Sequence, residues 1–311
     1  MSTDVHQHIW PPALVELLRS RTAPPHLDGW TLHLAGEAPY RVDPASHDVT
    51  ARTRLAATDG LDLALVSLSS PLGIEQLPPA EAAPLLAAFH DGALALPAPF
   101  GVWAACCLSA PDPDAVEREL RRGCVGLQLQ ATALLDAAGW ARCAPLLDVL
   151  TRHDKPLFVH PGAAPPAAGS PPWWPALVPY VQQMHASWFA FRAFGRARHP
   201  QLRVCFAALA GLAPLHGERL AARGGGRGEI DFDVFYDTSS YGTRAVDALV
   251  RDVGIDVVVS GSDLPYAPLV IPDLGADAAV HALRTANPAR LLHGRTPTVP
   301  PAGRSRERSH S

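Results

Sequence analysis

The feature that most limits what this chain can fold into is an alternation. Short apolar runs, β-branched or alternating, recur every few tens of residues. They fall at Val5–Ile9, Leu61–Leu68, Gly101–Leu108, Cys124–Leu129, Pro156–His160, Leu202–Ala207, Ile230–Tyr236 and Asp256–Ser260. Stretches with helical spacing lie between most of them, most clearly at Pro79–Phe89, Pro113–Arg122, Pro145–His153, Val181–Arg198, Pro214–Ala222, Thr243–Asp252 and Asp277–Ala286. Strands alternating with helices predict βαβ units around a parallel sheet. Eight such strands fit an α/β fold of one closed (β/α)8 TIM barrel, typically about 250 residues before insertions. A doubly wound open sheet fits less well, because no Gly-rich phosphate loop follows the first strand.

Two stretches interrupt the alternation. Residues of about 20–50 form an insertion after the first strand, in which Trp30–Leu34 and Tyr40–Val42 read as a small β excursion with Gly36 and Glu37 as its turn. Pro161–Pro179, rich in Pro, Ala and Gly and holding Trp173 and Trp174, reads as a long loop over the barrel mouth. The barrel is expected to occupy residues 1–294, with 295–311 a disordered tail rich in Pro, Ser and Arg. Among 311 residues the net charge is −4, which argues against a nucleic-acid partner. Five scattered Cys without a CxxC give neither a disulfide framework nor a thiolate zinc site. No apolar run reaches the roughly 18 residues of a membrane span, and the expected compartment is the cytoplasm.

The chain holds 14 His, and a few stand where chemistry is done. His6 and His8 lie two apart on the first expected strand, so a period of two turns both imidazoles one way. Two neutral imidazoles at that spacing can share a metal ion; a solvated or capping pair is the plainer alternative. His160 closes the run Leu157–His160, at the strand end where barrel enzymes place catalytic groups, unless it is a core His bonded to backbone. Asp263 follows the last strand and converges on the same mouth, or else caps a helix. Three imidazoles and a carboxylate make a credible divalent-metal site with room for a water.

These motifs together resemble the amidohydrolase-related metal enzymes, in the branch of aminocarboxymuconate-semialdehyde decarboxylase. The resemblance is carried by Asp4-Val5-His6-Gln7-His8-Ile9, Gly29-Trp30, Tyr40-Arg41-Val42, Leu157–Pro161, Leu202–Ala207, Gly261–Tyr266 and Asn287. It implies that His6, His8, His160 and Asp263 ligate one Zn2+ or another divalent ion. The fourth strand offers Gln128 and Gln130 rather than Lys, so a carbamylated-Lys bridge between two metals is not expected. The resemblance also implies that Arg41 and Arg219 contact a substrate carboxylate, Arg219 across a homodimer. The planar guanidinium fork suits that role, a surface salt bridge being the plainer alternative.

One position departs from the family pattern. Its sixth strand ends in a His followed one residue on by Gly-Gly and later Pro. Here Gly211 and Pro214 keep their places, but Ala208 stands at the His position and Ala210 at the first Gly. In the decarboxylase branch that His is regarded as the general acid/base, and such a group contributes about 10²–10⁴-fold. The expectation is a site that still assembles with altered proton chemistry. Three outcomes stand open. Another residue takes over, with Asp263 as the catalytic carboxylate or His185 or His216 turned inward. Alternatively, the chain catalyses a different reaction for which a metal hydroxide suffices, such as hydrolysis of a lactone, amide or ester, or it binds a ligand or partner without turnover. The expected activity is that of a decarboxylase or hydrolase for a small carboxylated aromatic or unsaturated substrate. Trp10, Trp173 and Trp174 are candidates for an apolar substrate wall, and His33 could approach the mouth.

Overall fold

A computed structural model describes residues 1–35, 38–164, 169–226 and 229–294. The expected turn at Gly36-Glu37 and the tail at 295–311 lie outside the described residues. All eight expected barrel strands form, β1 starting two residues before its apolar run and the other seven shorter than theirs: β1 (Thr3–Gln7), β5 (Leu63–Val66), β6 (Phe100–Val102), β7 (Leu127–Gln130), β8 (Leu157–His160), β9 (Val204–Phe206), β10 (Val234–Asp237) and β11 (Val258–Val259). The insertion supplies an antiparallel sheet of β2 (His26–Asp28), β3 (Thr31–His33) and β4 (Tyr40–Arg41).

The eight strands pair in parallel as two ladders, β1-β5-β6 and β7-β8-β9-β10-β11. Two seams join them. At one, Val125 N donates to Val102 O and Ala104 N to Gly126 O, both at 2.9 Å, and Ala104 bridges Leu127. At the other, Val5 N donates to Ser260 O at 2.9 Å, Asp263 N to His6 O at 2.8 Å, and Gln7 bridges Leu264. Bonded at both edges, the strands close into a barrel. Its interior is apolar below the mouth, where Trp103 and Phe158 stack at 5.3 Å and Trp103 Nε1 donates to Val5 O at 3.0 Å.

The outer helices include α1 (Pro12–Ser20), α2 (Val49–Thr58), α3 (Pro79–Leu94), α4 (Pro113–Arg122), α5 (Ala137–Arg152), α6 (Trp174–Leu177), α7 (Pro179–Ala190), α8 (Gly217–Ala221), α9 (Thr243–Val253), α10 (Asp277–His281) and α11 (Asn287–His293). α4 has the expected bounds because its signals are local. Asp112 caps it by accepting from Asp114 N and Ala115 N, and Gly123 ends it at φ 117°; such a cap contributes about 1 kcal/mol. α5 starts well before the expected Pro145, at the cap Asp136, which accepts from Gly139 N. The Pro161–Pro179 stretch is not all loop, since it contains α6. α8 begins three residues after the expected Pro214, at Gly217, and the residues 208–212 ahead of it turn the other way. Ala208, Leu209, Ala210, Gly211 and Leu212 all have φ between 49° and 60°. A left-handed backbone costs a non-glycine residue about 1–2 kcal/mol. At Gly211 a Cβ would also lie 2.5 Å from Val181 O.

Candidate metal centre

β1 and the residue after it deliver the first two donors, β8 the third, and the loop after β11 the fourth. His6, His8 and His160 are buried, at 1%, 0% and 5% exposure, and Asp263 is half-buried. One ligand atom from each lies within 4.8 Å of the others. Asp263 does not cap a helix. Its backbone is left-handed at φ 70°, and it turns back to donate its N–H to His6 O.

The other side of each imidazole settles which nitrogen faces the centre. His6 Nδ1 lies 2.7 Å from Asp237 Oδ2, His8 Nδ1 lies 3.0 Å from Ser67 O, and His160 Nδ1 lies 2.7 Å from Pro161 O. Carboxylate and carbonyl oxygens accept, so each Nδ1 carries the hydrogen and each neutral ring leaves Nε2 bare. His6 Nε2 and His8 Nε2 then face each other at 3.1 Å, with Asp263 Oδ1 3.3 Å from the first and 3.0 Å from the second. Lone pairs that close repel unless a cation sits among them. Ligating imidazoles typically donate their second nitrogen to just such partners. The donor set therefore fits a divalent ion.

Electrostatics favour the neutral ring at His8 and His160, and at His6 they favour a positive charge among these donors. Burial pulls the His8 imidazole below its ordinary pKa, and neighbouring His6 adds to that. Burial, with His6 and His8, pulls His160 well below it. Burial also lowers His6, but Asp237, Asp263 and Asp4 outweigh it and leave that ring raised. Burial would raise Asp263, but the three imidazoles hold it below the ordinary carboxylate value. Beneath the cluster the Phe158 ring lies 4.9 Å from His6, an apolar floor.

Four of the expected site residues thus come together, and others do not. Arg41 is exposed on β4 and Arg219 is exposed on α8, both outside the cluster. His185 and His216 lie outside it too, as ring neighbours at 4.9 Å with His216 exposed. His33 stacks across the strands on His26 at 4.4 Å. Trp10 is buried, stacked on His47 at 4.4 Å, and donates from Nε1 to Ser69 Oγ, so it packs behind the mouth. Trp173 is 56% exposed beside Trp174. Ala208 offers a methyl group where a proton carrier was considered; its N–H donates to Asp237 Oδ1 at 2.9 Å. Asp237 is the residue that sequence reasoning missed. Its signal was the one that flagged His160, a polar residue closing an apolar strand, but the expected strand stopped one residue early at Tyr236.

Solved structures share the architecture over almost the full chain. The apo IDCase of Metarhizium anisopliae matches with a TM-score of 0.74 and 17% identity, over 94% of this chain and 97% of that one. The 5-carboxyvanillate decarboxylase LigW of Sphingomonas paucimobilis matches at 0.67 and 18%, over 94% and 98%. The chain shares its barrel fold with these structures. A 5-carboxyvanillate decarboxylase of Novosphingobium aromaticivorans, solved with manganese and 4-hydroxy-3-methoxy-5-nitrobenzoic acid, shares the fold at a TM-score of 0.68 and 16% identity, over 94% of this chain and 96% of that one. No family model and no curated protein matches the chain. At identities of 16–18% it is the fold that is shared.

Proposed function

We propose that this protein is a mononuclear, divalent-metal carboxy-lyase acting on a small carboxylated aromatic or unsaturated substrate. The observation that carries the reading is the set of three bare Nε2 atoms and one carboxylate oxygen facing one another in a buried mouth. His6, His8, His160 and Asp263 would hold one ion, zinc by donor chemistry, with manganese the alternative. When bound, the ion supplies a Lewis acid that polarises a substrate oxygen. Asp237, Ser67 and Pro161 keep the three rings aimed, Phe158 excludes water from below, and Asp263 orients a water or accepts its proton. Arg41 and, across a homodimer, Arg219 are proposed to receive the substrate carboxylate. The fold shared with a 5-carboxyvanillate decarboxylase and a 2,6-dihydroxybenzoate decarboxylase supports choosing aromatic carboxylates as the first substrates to try.

Ala208 favours a second reading, hydrolysis of a lactone, amide or ester, or binding without turnover, since no imidazole stands there to carry a proton. One experiment separates them: metal content by atomic absorption, with turnover of carboxylated aromatics, lactones and amides. The expected result is about one ion per chain, loss of both metal and turnover in His160→Ala, and carbon dioxide release from a carboxylated aromatic. Metal well under one ion per chain, unchanged by His160→Ala, would defeat the enzyme reading.

A further inference from the structure

α2 buries only Arg52 and Ala56. Its inner face is therefore led by a guanidinium, which is 4% exposed and has no carboxylate among its hydrogen-bond partners. Arg52 Nη1 donates to His8 O at 2.8 Å and to Ser46 O at 3.0 Å, and Nη2 donates to Gln7 Oε1 at 2.6 Å. Gln7 Nε2 donates onward to Asp4 Oδ2 at 2.7 Å. Asp4 Oδ1 accepts from His6 N and from Ser262 N, both at 3.0 Å. One buried amide thus joins a buried cationic residue to a buried acid. Its direction is fixed, because a flipped Gln7 would set its NH2 against the guanidinium and its oxygen against the carboxyl.

This chain of bonds runs where β1 is irregular. Asp4 pairs with Ala64 and Gln7 with Val66, three residues along β1 against two along β5. Such bulges re-aim side chains beside active sites. Here the N–H of His6 goes to Asp4 and the carbonyl of His8 goes to Arg52. Every backbone group held belongs to a proposed ligand or, at Ser262 and Ser46, to a neighbouring loop. Arg203 offers a contrast at the other end of the barrel. It is buried too, but donates to Leu291 O and to Asp154, and touches no ligand.

We propose that Arg52 is a positioning residue for the metal centre, acting through Gln7 and Asp4 to fix the β1 bulge and hence the relative placement of the His6 and His8 imidazoles. This rests on the metal reading above. The test uses the full chain and the variants Arg52→Gln and Gln7→Met, with Arg203→Gln as the comparison. Cobalt(II) titration reads affinity and the visible ligand-field band. Nitrogen-15 spectra of the imidazoles, taken without metal, read which ring nitrogen carries the hydrogen. The expected result is cobalt binding about 10–100-fold weaker in Arg52→Gln and Gln7→Met, with a shifted band. Without metal, these variants mix the two ring tautomers, while the wild type keeps hydrogen on Nδ1. Arg203→Gln should lose thermal stability yet keep the wild-type band and tautomers. Wild-type spectra in Arg52→Gln would overturn the proposal, as would the same changes in Arg203→Gln, which would trace them to general loosening. If the wild type takes no cobalt, the metal reading fails, and the metal-free ring spectra still decide the positioning claim.

Discussion

The two ends of this barrel solve the problem of buried polar groups in opposite ways. At the floor, Arg203 gives its donors to Asp154 and to the carbonyls of Asp154 and Leu291, beside a cavity of only about 30 Å³. Donors there meet acceptors, and the arrangement is complete with protein atoms alone. At the mouth, every imidazole has a satisfied Nδ1, and the Nε2 atoms of His6 and His8 face each other and Asp263 Oδ1. The mouth is complete only with something positive added. Burying polar groups against like partners costs free energy, so the floor reads as stability and the mouth as function.

The largest test of that contrast adds the missing proton carrier. Ala208→His should raise decarboxylation of a carboxylated aromatic by up to about 10²–10⁴-fold, measured as carbon dioxide release, with metal content unchanged. No gain over several carboxylated aromatics would show that the mouth is built for other chemistry. Next in size, Asp237→Asn replaces the acceptor behind His6 with an amide that can present either donor or acceptor. Metal affinity should fall about 10–100-fold by competition with a chelating dye, while the unfolding midpoint of the metal-free protein changes little. A reversed pattern would place Asp237 with the floor.

The smallest effect lies on the mouth side, in the segment that follows β5. Glu75 is 2% exposed, and its Oε1 accepts from Ser70 Oγ at 2.7 Å. Burial lifts its pKa from 4.5 to about 7. The folded state holds this proton more tightly than the unfolded chain does. Stability is therefore whole below about pH 4.5 and declines as pH rises through about 7, by about 3 kcal/mol in all. Glu75→Gln should remove that slope, gaining on the wild type between pH 4.5 and 8 in urea unfolding. A difference that stays flat across those pH values would mean Glu75 is ionised or exposed.

The four candidate ligands were legible because donor residue types are few and strand ends are where a barrel exposes them. The partners of two of those ligands were not, because Ser67 O and Pro161 O are backbone atoms that any residue would supply. α2 escaped notice for a related reason. Its inner face carries Arg52 and Ala56 in place of an apolar stripe, so the helical period had nothing to mark. α1 has such a stripe in Leu14, Val15 and Leu18, but it is short and follows the Pro11-Pro12 pair directly. The left-handed turn at 208–212 had no signal beyond one glycine, since four of its five residues are ones that ordinarily avoid that conformation.

Position 208 joins the rest of the site by its main chain. The bond from Ala208 to Asp237, and through it to the ring of His6, is made by an amide hydrogen that every residue except proline possesses. The chemistry of this side chain can therefore drift without unfastening the ligand behind it. A lineage could exchange imidazole for methyl here and back again, changing what the centre does to a substrate while leaving the centre assembled.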